Sequence, residues 1–148
     1  MNAIAHAYVN YSTKRFPVPS RTKLLELEER IEISLPEDFR QFLLDFNGGF
    51  FNEPNISPSS KGCPEDCLTF LNGIGASSPV AELASETDLA LFEDNSPPQI
   101  LPIGYTMMGN MIILITHYEN NGFIMLKTFK EYFFLANGIE EFFSLLSK

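Results

Sequence analysis

Two cysteines and two histidines are the side chains of this 148-residue chain best suited to nucleophilic or metal chemistry. Cys63 and Cys67 flank Pro64-Glu65-Asp66, while His6 and His117 lie far from them in the sequence. A thiol nucleophile needs a base within hydrogen-bond reach and a third group that orients the base. The best set that can be assembled is Cys63 or Cys67 with His117 and Glu119. No G-x-S-x-G or H-E-x-x-H pattern supports it, and Gly104-Tyr105-Thr106-Met107-Met108-Gly109 is too bulky to cradle a phosphate. A zinc site takes about four ligands, which a single C-x-x-x-C pair does not supply. The expectation is two reduced loop thiols, with no catalytic residue, no cofactor and no metal; a cysteine-dependent enzyme stays open as the lesser alternative.

Charge is the next source of information. The chain holds 10 Lys and Arg against 19 Asp and Glu, a net charge of −9. Residues 62–126 contain no Lys or Arg, yet they hold Glu65, Asp66, Glu82, Glu86, Asp88, Glu93, Asp94 and Glu119. Such a field repels nucleic-acid backbones and attracts basic protein surfaces. The longest apolar run, Met111 to Ile115, is strand-sized, so no membrane span is expected. Residues 1–6 lack the basic flank and apolar core of a secretory signal, and a cytoplasmic location is the default expectation.

These side chains must be positioned by a core rich in phenylalanine, since the chain has fourteen Phe and no Trp. A chain of this length buries about 70% of its unfolded surface as one domain. Residues 1–19 show no clear period and read as an N-terminal arm ahead of a single domain over 20–148. Leu24, Leu27 and Ile31 keep helical spacing after Ser20. A second helix follows: Ser34 and Glu37 make a capping box, Pro36 falls in the first turn, and Phe39, Phe42, Leu43 and Phe46 form one apolar stripe. Asn47-Gly48-Gly49 ends it. Residues 50–60 read as loop, 67–71 as a short strand, and Ser78-Pro79 as the start of a helix with Val80, Leu83, Ala84 and Leu91 inward. Residues 100–103 form a brief extended piece. The clearest hairpin pairs residues 111–118 with 123–129 across Asn121-Gly122. Asn137 and Glu140 repeat the capping box ahead of Ile139, Phe142, Phe143 and Leu146. Helices at both ends of a hairpin-rich middle give an α+β fold with a mainly antiparallel sheet.

Several of these blocks carry a family resemblance. Glu28, Leu35-Pro36, Phe39, Phe42, Leu43 and Asn47-Gly48-Gly49 resemble the opening signature of the SUKH superfamily, which contains bacterial immunity proteins and the yeast cell-wall assembly regulators. Leu101-Pro102-Ile103-Gly104 before Gly109-Asn110-Met111-Ile112 is similar to its second block, and residues 136–143 to its closing helix. The chain departs from the pattern at Asn110, where the family usually has an acidic residue, and in lacking tryptophan. The resemblance implies a non-catalytic binding module, either an immunity protein that neutralises a nuclease or deaminase toxin stoichiometrically or an intracellular scaffold like the yeast regulators. For the immunity reading, the expected partner is a basic toxin domain. Glu82, Glu86, Asp88, Glu93 and Asp94 would form the steering face, with Tyr105, Met107 and Met108, on a loop between two strands, as apolar anchors.

Overall fold

The computed structural model describes residues 2–58, 61–76, 78–85, 100–116 and 121–148. Within them are four α-helices: α1 Ala3–Tyr11, α2 Arg21–Ile31, α3 Glu37–Asp45 and α4 Ile139–Ser144. The strands are β1 Ser12–Arg15, β2 Gly49–Phe51, β3 Asn55–Ile56, β4 Asp66–Leu71, β5 Ile100–Thr106, β6 Met111–Ile115, β7 Ile124–Lys127, β8 Tyr132–Ala136 and β9 Leu146–Ser147. They form an antiparallel sheet in the order β1-β2-β4-β5-β6-β7-β8, with β3 bridging β4 and β9. The α+β architecture expected from the sequence is the one observed, and β6, apolar on both faces, lies inside the sheet.

Alternation along the strands divides the residues between two faces. Leu101 and Ile103, Ile112 and Leu114, and Ile124 and Leu126 point toward the helices and join their apolar stripes in the main core. Phe42 touches Tyr8, Phe39, Phe46 and Phe143, so rings from α1, α3 and α4 interlock. On the opposite face, Phe16, Phe50, Phe70 and Tyr105 form a row with ring centroids 5.2–5.7 Å apart, next to Ala76 and Ala81.

Tertiary contacts redraw several local expectations. Within the stretch 1–19, without a clear period in sequence, residues 3–15 form α1 and β1; Ile4, Ala7 and Tyr8 enter the main core and Asn2 caps the helix through the Ala5 N–H at 2.8 Å. Neither expected capping box forms. Pro36 takes the cap position of α3 in extended backbone, the Leu35 N–H goes to Glu28 Oε2 at 2.7 Å, and Glu37 pairs with Arg40 instead. Gly138 takes the cap position of α4, whose Ile139 N–H donates to Asp38 Oδ2 of α3 at 3.3 Å, while Glu140 accepts from the Ala3 N–H of α1. Remote carboxylates thus serve helix ends that the sequence assigns to neighbours.

Three strand boundaries also shift. Phe50 and Phe51 belong to β2, and Asn55-Ile56 to β3, because each segment fills a gap between strands that are distant in sequence. Strand β5 runs to Thr106, which moves Tyr105 from loop to sheet. The helix expected from Ser78 is a single 3-10 turn over Pro79–Ala81, with Val80 exposed and Leu83 and Ala84 buried. The Leu83 N–H donates to the Gly73 carbonyl and the Gly73 N–H to that of Ala81, so this backbone pairs across the chain rather than along a helix. Leu91 lies outside the described residues.

Candidate partner-binding surface

Of the side chains singled out in the sequence, the two cysteines are the ones that bear on catalysis. Cys63 and Cys67 are free, half-buried thiols, Cys63 on the loop ahead of β4 as expected and Cys67 on the strand itself rather than on a loop. Burial, and then the Asp66 carboxylate, push both thiols above their ordinary value, the direction that disfavours a thiolate nucleophile. Cys67 Sγ donates to Asn55 Oδ1 at 3.2 Å, a contact within the β3–β4 pair. His117 and Glu119 lie outside the described residues. Among the described residues no group of three His, Cys, Asp or Glu side chains is placed to hold a metal ion, and no helix is long and apolar enough to cross a membrane.

The expected partner-binding residues divide. Glu82 is committed to the fold, its two carboxylate oxygens accepting the N–H groups of Gly75 at 2.8 Å and Ala76 at 2.9 Å. Glu86, Asp88, Glu93 and Asp94 lie outside the described residues. Tyr105 is half-buried on β5, its ring tilted against that of Phe70 with centroids 5.2 Å apart. Met107 and Met108, 55% and 65% exposed, stand on the turn between β5 and β6. Glu82 bridges Gly73, beyond the last residue of β4, whereas the Met107 N–H donates to Cys67 at the start of that strand. The two sites are therefore at opposite ends of β4, roughly 20 Å apart at the rise of an extended chain.

What holds the methionine turn is a carboxylate that sequence reasoning left unassigned. Asp66 is buried at the start of β4 and accepts four neutral donors. These are the Thr106 hydroxyl at 2.5 Å, the Asn110 side-chain amide at 2.8 Å, and the N–H groups of Cys67 at 2.8 Å and Met108 at 3.1 Å. The Asn110 N–H in turn donates to Thr106 Oγ1 at 3.0 Å. Both ends of the turn are thus tied to one buried side chain. The Asn110 departure acquires a physical reason: an amide here donates to Asp66, where a second carboxylate would face it with like charge.

A second turn lies beside the first. Register pairs Tyr105 with Met111, Met111 with Lys127, and Lys127 with Tyr132, so the β5–β6 turn and the β7–β8 turn emerge at the same end of the sheet. Phe129 on the latter is 96% exposed, and Tyr132 is 47% exposed beneath Lys127, whose Nζ lies 5.4 Å from the ring centroid. Between the turns is an open groove of about 440 Å³ lined by Pro64, Met108, Asn110, Thr128, Phe129, Lys130, Glu131 and Phe133. The signal for Phe129 was present in Thr128-Phe129-Lys130-Glu131, an aromatic set among turn residues and charges after a strand.

Comparison with curated proteins and with solved structures returned no match. Residues 19–145 match the model of the SMI1 / KNR4 family (SUKH-1), a span that takes in both signature blocks, strands β2 to β8 and the closing helix, and the chain belongs to that family.

Proposed function

We propose that this protein is a non-catalytic binding module of the immunity type, which neutralises a toxin domain by stoichiometric association in the cytoplasm. The observation that carries this reading is the pair of exposed methionines on a turn anchored from beneath by Asp66. Flexible apolar side chains on a fixed backbone suit protein contact, because the backbone is ordered before the partner arrives. Family membership supports the same reading, and the upward shift of both thiols disfavours a cysteine nucleophile. The absence of Lys and Arg from residues 62–126 suits a basic partner, with Glu86, Asp88, Glu93 and Asp94 as steering charges and Met107 and Met108 as anchors.

The test is co-expression with a toxin encoded by the neighbouring reading frame. Rescue of growth and co-purification in equal proportions are expected; a neighbour that encodes no toxin, or rescue without a complex, contradicts the proposal. Reversing Glu86, Asp88 and Asp94 together to lysine is expected to slow association at low salt about tenfold or more and to leave the melting temperature unchanged. An unaltered association rate removes the steering role.

A further inference from the structure

The end of the sheet that carries Met108 also carries an exposed aromatic knob, a groove and a matched pair of charges. We propose that these make a self-association site, in which Phe129 of each copy fills the groove of a second copy about a two-fold axis. A two-fold contact uses one patch twice, so knob and hole must lie on the same patch. They do: Phe129, 96% exposed, borders the groove that Pro64, Met108 and Phe133 line. The rim is self-complementary as well. Lys130 and Glu131 are adjacent in sequence and both line the groove, so a two-fold axis passing beside them sets each lysine opposite the second copy's glutamate.

Charge also limits where two copies can meet. A chain of net charge −9 repels its copies over most of its surface, and close approach is least opposed where basic side chains stand. This end of the sheet is one of the places that qualify, since it holds Lys127 and Lys130, two of the chain's 10 Lys and Arg residues. The patch is small. Met107, Met108, Phe129 and Tyr132 are its exposed large apolar residues, fewer than the 20–30 residues a side that a standard interface of about 800 Å² per partner uses. The dimer is therefore weak and concentration-dependent, and a partner that takes Met108 competes with it.

Sedimentation velocity of the full chain from about 5 μM to about 500 μM reads the equilibrium directly, this range spanning micromolar dissociation constants. A shift from monomer toward dimer is expected. Phe129→Ala should weaken association about tenfold or more and leave the melting temperature unchanged, since the side chain is exposed. Lys130→Glu and Glu131→Lys should each weaken the dimer, and the two together should restore it, a rescue that only reciprocal pairing gives. A monomer at every concentration, a dimer indifferent to Phe129→Ala, or a double variant no better than the singles overturns the proposal. Toxin neutralisation by a protein that stays monomeric overturns the dimer alone and leaves the immunity reading standing.

Discussion

Glu28 and Asp66 are both buried carboxylates that accept backbone N–H groups across a chain reversal, but they stand in regions with opposite tasks. Glu28 closes the corner between α2 and α3, where Arg40 Nε lies 3.3 Å from its Oε2 and the core rings pack against the helices. Asp66 closes the β5–β6 turn with neutral donors, and among the described residues no basic side chain reaches it. The Glu28 corner faces the core, whereas the Asp66 turn ends in exposed Met107 and Met108. The same chemistry builds a fold in one place and displays a surface in the other.

The largest effect is expected at the helix corner. Glu28→Gln leaves the largely buried Arg40 guanidinium with only the exposed Glu37 carboxylate as its ion-pair partner, and should cost about 2–3 kcal/mol in chemical denaturation. A loss under about 0.5 kcal/mol would erase the distinction between the regions. Tyr8 sharpens the helix side further. Its buried hydroxyl donates to the Gly48 carbonyl at 2.8 Å, and burial raises it well above its ordinary value of 10.0. The unfolded tyrosine ionises first, so the Tyr8 contribution to stability is intact below pH 10.0 and falls above it by about 1.4 kcal/mol per pH unit. Tyr8→Phe should cost about 1 kcal/mol at neutral pH and remove this alkaline slope. A melt whose slope survives the substitution assigns it to other groups. A global effect no larger than that of Tyr8→Phe is expected at Asp66→Asn, about 1 kcal/mol, because the amide keeps one acceptor and the turn can reach solvent.

Much of the helix side was legible in the sequence. Phe39, Phe42 and Leu43, and Ile139, Phe142 and Phe143, repeat at helical spacing, and these residues are buried where that spacing puts them. The helix ends were not legible, because Asp38, Glu28 and Glu140 satisfy N–H groups seven to 137 residues away. The first helix escaped notice although Ile4, Ala7 and Tyr8 keep helical spacing, since two of its three inward residues are small or polar-tipped. On the display side the methionines stood out as residue types, and their exposure is what the structure adds. Asp66 read as one acid in an acidic stretch; its partners Thr106, Met108 and Asn110 come from a turn 40 or more residues later. Residues 86–99, which carry four of the expected steering acids, lie outside the described structure.

The division between fold-making and surface-presenting carboxylates is tested most directly by amide hydrogen exchange on Glu28→Gln and Asp66→Asn side by side. Glu28→Gln should speed exchange throughout the core strands and helices by a common factor of about 30–150, its global loss of roughly 2–3 kcal/mol seen at every slow amide. Asp66→Asn should speed Met108 and its turn neighbours far more than the interior of β6 and β7. Uniform loss of protection in Asp66→Asn, equal to that in Glu28→Gln, would contradict the account.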